Sequence, residues 1–208
     1  MGRTVVQTWF RSLVIGQRSL KATLLGIVSS AGKEEMAKKE PTSFAMTSKV
    51  LFVCMGNICR SPMAEGVFRT MVKQAGLEDV VTVESAGTHA FHVGEVPDKR
   101  AQSISAKRGY DISGLSARMV KASDFEEFDY ILAMDWENLA LLQSQAPKSA
   151  QHKLQLFMRF ATEHESATIP DPYYGGPQGF ETVLDYIEDA STGLLEVARR
   201  RATQVAAA

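Results

Sequence analysis

The chain has 208 residues, 23 basic against 24 acidic side chains, a formal net charge of −1 and 45% hydrophobic residues. That balance speaks against a nucleic-acid-binding protein. Two cysteines in this length exclude a disulfide scaffold and point to a reducing compartment, so a cytoplasmic location is expected.

Residues 1–46 differ in composition from the rest of the chain. Arg3, Arg11, Arg18, Lys21 and Lys33 precede the first acid, Glu34, with serines and scattered apolar residues between them, a composition that resembles a transit peptide. Charges at 11, 18 and 21 exclude a membrane span, which needs ~20 nearly uncharged apolar residues. Val6 stands where N-myristoylation requires Ser or Thr. Met46-Thr47-Ser48-Lys49 looks like a natural start just ahead of the first strand. The expectation is therefore a disordered extension or a start codon placed too far upstream, ahead of a targeting segment. A folded domain is expected over 47–202, with 203–208 as a tail.

The first strand is expected at 48–53, where Val50, Leu51, Phe52 and Val53 form a β-branched and aromatic run. Gly56 and Asn57 permit a tight loop, and Ser61-Pro62 can cap and open a helix over 61–75. A loop entering a helix N-terminus gathers backbone N–H groups and the positive end of the dipole, which favours an anion. Cys54 sits at the mouth of this loop and Arg60 at its far end, so a thiol and a planar oxyanion clamp face one spot. The N–H groups, the dipole and Arg60 all favour the nucleophilic thiolate of Cys54. A tetrahedral oxyanion held there would present its central atom to the sulfur, the geometry that phosphoryl transfer needs.

Further strands are expected at 80–85 and 128–133, with a weaker one at 153–157, and helices near 97–108, 136–145 and 179–201. This alternation predicts a single α/β domain: a four-stranded parallel sheet flanked by helices on both faces, with the phosphate-binding loop after the first strand. Asp135, at the carboxyl end of the third strand, reads as support for the site or as a cap for the next helix. A departing alkoxide or phenolate needs a proton, and Asp171 in Pro170-Asp171-Pro172-Tyr173-Tyr174-Gly175-Gly176 is the candidate acid. Prolines on both sides stiffen its loop, and Tyr173 and Tyr174 can line a slot for a flat substrate. In the last helix, the run Arg199-Arg200-Arg201 matches the negative end of the dipole better than it does a nucleic-acid patch.

Cys54-Met55-Gly56-Asn57-Ile58-Cys59-Arg60-Ser61-Pro62, with the distal Asp-Pro-Tyr-Tyr-Gly, resembles the low-molecular-weight protein tyrosine phosphatases of bacterial type, over residues 47 to about 200. Glu84-Ser85-Ala86-Gly87-Thr88 and Phe128 to Asp135 also look like family segments. The resemblance implies Cys54 as nucleophile, Arg60 as phosphate clamp, and Asp171 as general acid and then general base against a phosphocysteine. It implies that Ser61 bonds the thiolate, that Asn57 and Ser85 hold the loop's shape, and that Phe91 borders the substrate ring with Tyr173 and Tyr174. The family uses no metal or other cofactor. Its partners are tyrosine-phosphorylated proteins; for a bacterial source, an autophosphorylating tyrosine kinase of surface-polysaccharide export is the expected one.

Within this fold, arsenate reductases need cysteines outside the loop, and Cys54 and Cys59 are the only two. Protein-arginine phosphatases typically carry threonine where this loop has Ile58, which favours tyrosine over arginine. A phosphate-binding module with little turnover is the reading outside enzymology. Cys59 can trap a peroxide-oxidised Cys54 as a disulfide, or it can be a small buried apolar residue. One departure stands out: Leu115 occupies the place of a family histidine that supports the loop asparagine, so Asn57 is expected to be held differently or less rigidly. His89, His92, His152 and His164 lack ligand-like spacing, and His92 is expected to be a solvated loop residue rather than a substrate contact.

Overall fold

The computed structural model describes residues 47–206. The expectations for residues 1–46 lie outside the described residues. Four strands form one parallel sheet in the order β2-β1-β3-β4: β1 Ser48–Cys54, β2 Val81–Gly87, β3 Tyr130–Ala133 and β4 Leu154–Leu156. The helices are α1 Arg60–Gln74, α2 Lys99–Lys107, α3 Asp124–Glu127, α4 Trp136–Gln145 and α5 Pro177–Ala206, with short 3-10 turns at Lys148–Lys153 and Phe157–Phe160. The parallel sheet and its helices match the expected α/β class. Neither α3 nor the 3-10 turns were foreseen, because four to six residues are too few to show a helical period. The last helix also runs past its expected end, so 203–206, read as tail, are helical.

β1 is central and buried on both faces, which is why it reads as a continuous apolar run. Val50 and Phe52 pack into one core with Val67 and Phe68 of α1, Ile104 of α2, and Val183, Leu184 and Ile187 of α5. Leu51 and Val53 point to the other face, against Phe125 of α3 and Leu139 and Leu142 of α4. The period of two in β1 thus assigns the helices to their layers. Phe52 anchors the larger core by edge contacts to Phe68 and Phe157, with ring centroids 5.8 and 4.7 Å away.

The chain leaves β1 toward β2 on one side and returns to β3 on the other, so the crevice beyond the carboxyl ends of β1 and β3 is the switch point where open α/β sheets bind ligands. Cys54 ends β1, and Asp135 lies just past β3. The segment that brings Asp171 to this crevice is stitched down in two places. Ile169 N–H donates to the Met134 carbonyl at 2.8 Å. Farther back, the buried carboxylate of Asp189 on α5 accepts from the N–H of Thr162 at 2.8 Å and of His164 at 2.9 Å, from the Thr162 hydroxyl at 3.0 Å and from His164 Nδ1 at 2.8 Å. Close by, α5 approaches so tightly that a Cβ on Gly193 would stand 2.0 Å from the Phe160 carbonyl oxygen.

Burial opposes the charge on Asp189, but this ring of donors outweighs it and holds the carboxyl below its usual range. A carboxyl depressed by folding stabilises the folded state above the unfolded value of ~3.9, and that stabilisation is lost as pH falls through the depressed value. Asp189→Ala is therefore expected to cost roughly 2–3 kcal/mol at pH 7. The gap from the unsubstituted protein should narrow as urea unfolding is repeated below about pH 4; a constant gap down to pH 2 would contradict the assignment.

Candidate active site

The loop between β1 and α1 turns on Asn57, whose φ of +57° places it in the left-handed region open to few residues. Its side chain makes that conformation secure. Nδ2 donates to the Ser61 hydroxyl at 2.8 Å and to the Ser85 hydroxyl at 2.9 Å, and Oδ1 accepts from the Arg118 N–H at 2.9 Å. Asn57 is buried, and both polar groups of its side chain are engaged. Of the two alternatives expected from Leu115, the structure shows Asn57 held differently: the backbone of Arg118 supplies the bond, and Leu115 packs against the core. Arg118 is itself fixed by Asp124 and Glu84, each at 2.9 Å. Behind the loop, the Ser85 hydroxyl donates to Glu65 at 2.5 Å, and Arg69 caps the same carboxylate. Burial pushes the Glu65 carboxyl up, partly offset by Ser85 and Arg69.

Cys54 lies at the bottom of the loop, 3% exposed. Its Sγ accepts the Asn57 N–H at 3.3 Å and lies 3.1 Å from the Ser61 hydroxyl. The expected helix cap at Ser61 is absent. The helix begins at Arg60 with Cys59 as its cap residue and no side-chain cap bond, and Ser61 turns inward to the sulfur. Among the described residues, the N–H groups of Met55, Gly56, Ile58 and Cys59, four residues of the cleft lining, donate to no protein acceptor. Burial, followed by the charges of Asp98, Cys54 and Asp171, pushes the Cys59 thiol up, so it stays protonated beside the nucleophile.

Arg60 is buried among carboxylates. Nη1 donates to Asp135 at 2.6 Å and to the Ile169 carbonyl at 3.0 Å, and Nη2 donates to Asp171 at 2.9 Å. Burial works against the charge, but Cys54, Asp171 and Asp135 overcome it and hold the guanidinium protonated more firmly than usual. Asp135 fills both roles read for it, since its other oxygen caps α4 through the Asn138 N–H at 2.8 Å. The Asp171 Oδ1 accepts the Tyr173 N–H at 3.0 Å, the self-bonded turn that a Pro-flanked aspartate favours.

These groups line a cleft of about 230 Å³ formed by Cys54, Met55, Gly56, Ile58, Cys59, Arg60, Asp171, Phe91, Tyr173, Tyr174 and His92. Of the residues singled out in the sequence, Asn57, Ser61 and Ser85 are not part of the lining, and their mutual bonds shape the loop. Phe91 and Tyr174 are 69% and 98% exposed, flat surfaces at the rim, and Phe91 stacks on His89. His92, read as a solvated loop residue, is partly exposed and also borders the cleft. Its Nδ1 is 2.8 Å from Glu95, and its ring lies where a Cβ on Gly56 would come within 2.9 Å. Sequence reasoning also missed Asp98 and Arg100. Asp98 stands just before α2 and caps it, a signal that was available. Among the described residues no cluster of three or more His, Cys, Asp or Glu is placed to hold a metal ion, and no helix is long and apolar enough to cross a membrane.

A thiol bonded by an N–H and beside a hydroxyl, unengaged N–H groups in the same loop, a fixed guanidinium and a nearby carboxyl can bind a phosphoryl dianion, accept its phosphorus and protonate what leaves. Comparison with known proteins agrees. Residues 49–205 match the family model described as low molecular weight phosphotyrosine protein phosphatase. A low molecular weight phosphotyrosine protein phosphatase of Schizosaccharomyces pombe is 46% identical over 149 residues, 71% of this chain and 95% of the relative. The crystal structure of a protein tyrosine phosphatase from Entamoeba histolytica with Hepes in its active site superposes with a TM-score of 0.70 at 40% identity, covering 72% of this chain and 95% of that one. An arginine phosphatase of Drosophila superposes with a TM-score of 0.66 at 37% identity, over 71% of this chain and 96% of the other.

Proposed function

Since the chain belongs to the low molecular weight phosphotyrosine protein phosphatase family, we propose that it hydrolyses phosphotyrosine in proteins, and aryl phosphates, through a phosphocysteine on Cys54. The observation that carries this reading is the environment of the sulfur: Sγ accepts the Asn57 N–H and lies 3.1 Å from the Ser61 hydroxyl, in a loop whose N–H groups at Met55, Gly56, Ile58 and Cys59 have no protein acceptor, with Arg60 at the edge.

The phosphoryl oxygens take these N–H groups and the Nη2 of Arg60, displacing Asp171 from that nitrogen. Asp135 keeps hold of Nη1, so the clamp does not swing. Sγ then attacks phosphorus in line, the S–P bond forms, and the bond from phosphorus to the tyrosine oxygen breaks. Asp171 gives its proton to that oxygen, which leaves as a neutral phenol. In the second step a water passes a proton to Asp171 and attacks phosphorus. The S–P bond breaks, and phosphate and the thiolate are released. Phe91, Tyr173 and Tyr174 flank the ring of the substrate, and Ile58 narrows the space beside the phosphoryl group.

Phosphoarginine is the second substrate to weigh, given the likeness to an arginine phosphatase; Ile58 in place of the threonine typical of such enzymes stands against it. We place the activity in the cytoplasm, on tyrosine-phosphorylated proteins that include an autophosphorylating kinase. Cys54 and Cys59 share the cleft wall, which suits redox control. Peroxide oxidises Cys54 to a sulfenic acid, and the Cys59 thiol displaces water from it to form a disulfide.

With chelator present, p-nitrophenyl phosphate and a phosphotyrosine peptide are expected to be hydrolysed in preference to phosphoarginine, and Cys54→Ser should abolish turnover. Asp171→Ala should slow phenyl phosphate by about 100-fold or more and activated esters far less. Binding of vanadate without turnover would instead make this a phosphate-binding module. After brief peroxide treatment, peptide mapping should find Cys54 joined to Cys59, and thiol reductant should restore activity; sulfonic acid on Cys54 alone would refute the redox pair.

A further inference from the structure

Cys54 and Asp171 come from segments far apart in the chain, and proton delivery needs a fixed distance between them. In the free site Arg60 joins them, through Nη2 to Asp171. That contact is lost when Nη2 turns to a phosphoryl group, so another tie must hold the acid at the moment it acts.

Asp98 and Arg100 form such a tie. The Asp98 N–H donates to the Ile58 carbonyl of the phosphate loop at 2.8 Å. The Asp98 carboxylate accepts from Arg100 three times: from N–H at 2.8 Å, from Nε at 3.0 Å and from Nη2 at 2.8 Å. The remaining arm, Nη1, reaches across to the Tyr173 carbonyl at 3.0 Å and the Gly175 carbonyl at 3.4 Å. These carbonyls belong to the turn that starts at Asp171, closed by the Gly175 N–H on the Pro172 carbonyl at 2.9 Å and the Tyr173 N–H on Asp171 at 3.0 Å. The guanidinium also lies 4.7 Å from the ring centroid of buried Phe180 and 5.6 Å from that of Tyr173, which fixes its plane. Arg100 is not among the residues lining the cleft. Its fork has one side on the phosphate loop's neighbour and the other on the acid's turn, a geometry that lysine's single ammonium cannot reproduce.

We propose that the Asp98–Arg100 pair is a positioning bracket that holds Asp171 in range of the leaving oxygen while Arg60 is engaged with the phosphoryl group. The proposal rests on Asp171 being the general acid. Arg100 touches no reacting atom. Loss of the bracket leaves the nucleophile, the N–H groups and Arg60 in place and impairs only protonation of the departing group, so its signature is dependence on the leaving group.

The test measures kcat/KM over aryl phosphates whose phenols span pKa values from about 5 to 10, for the unsubstituted protein, Arg100→Met, Arg100→Lys, Asp98→Asn, Asp171→Ala and the Arg100→Met/Asp171→Ala pair. Arg100→Met is expected to lose about 10-fold on phenyl phosphate and less than 2-fold on the most activated ester, with vanadate affinity unchanged within 2-fold; a partial loss of acid catalysis has this size. Arg100→Lys and Asp98→Asn should show the same slope at smaller amplitude, and they serve if the methionine variant folds poorly. On the Asp171→Ala background, Arg100→Met should add nothing, because both remove one function. A uniform loss across all esters, or an undiminished loss on that background, would overturn the bracket and leave Asp171 as the acid. If Asp171→Ala itself shows no leaving-group dependence, the role of Asp171 fails and the bracket with it.

Discussion

The guanidinium of Arg60 is buried at the point where three separate stretches of chain meet, and a buried cation is tolerated only if it is paired and bonded. Asp135 after β3, the Ile169 carbonyl and Asp171 satisfy it. The requirement runs in both directions. It draws the ends of β1 and β3 and the distal loop of Asp171 to one crevice, and of the three partners Asp171 is the half-exposed one, which the proposed mechanism exchanges for a phosphoryl oxygen. Asp135, with its second oxygen bound to α4, is the fixed counter-charge. Breaking such a pair from one side leaves a charge stranded in the interior, a cost of several kcal/mol, so the site and the fold share one dependency.

Around that cation the polar groups form two layers. The inner layer faces the cleft and is held open: Cys54, the unengaged N–H groups and Arg60. The outer layer is closed upon itself, running from Asn57 to Ser61, Ser85, Glu65 and Arg69, and from Asn57 to the Arg118 backbone and its two carboxylates. A left-handed asparagine needs this complete satisfaction, because its conformation is otherwise unfavourable by about a kcal/mol or more. Arg118 supplies the bond through its backbone, so the loop keeps its shape although Leu115 offers no donor.

The sequence was legible where chemistry and periodicity coincide. β1 announces itself as an apolar run because both of its faces are covered, and Cys54, Arg60 and Asp171 carry reactive groups in stiff, marked loops. Asp135 could be placed because the end of a parallel strand is where such folds hold ligands. What escaped depends on tertiary neighbours. Local propensity reads Ser61 as a cap and cannot see a partner seven residues back; its place beside the sulfur was legible only through the family resemblance. The place of His92 in the cleft wall depends on how closely its ring packs over Gly56, and the reach of Arg100 to Tyr173 spans 73 residues. Leu115 made a different or less rigid hold on Asn57 the expectation, and only the tertiary structure shows that a backbone donor supplies it.

The central claim is that phosphorus passes through a covalent bond to Cys54. The most direct test is rapid acid quench of the protein with a phosphotyrosine peptide within the first turnover, then mass spectrometry of the peptide that carries residues 54–60. The expected result is a phosphate on Cys54 whose amount rises to a steady level and vanishes when substrate is exhausted. Turnover at full rate with no phosphorylated Cys54, or with the phosphate on another side chain, would contradict it.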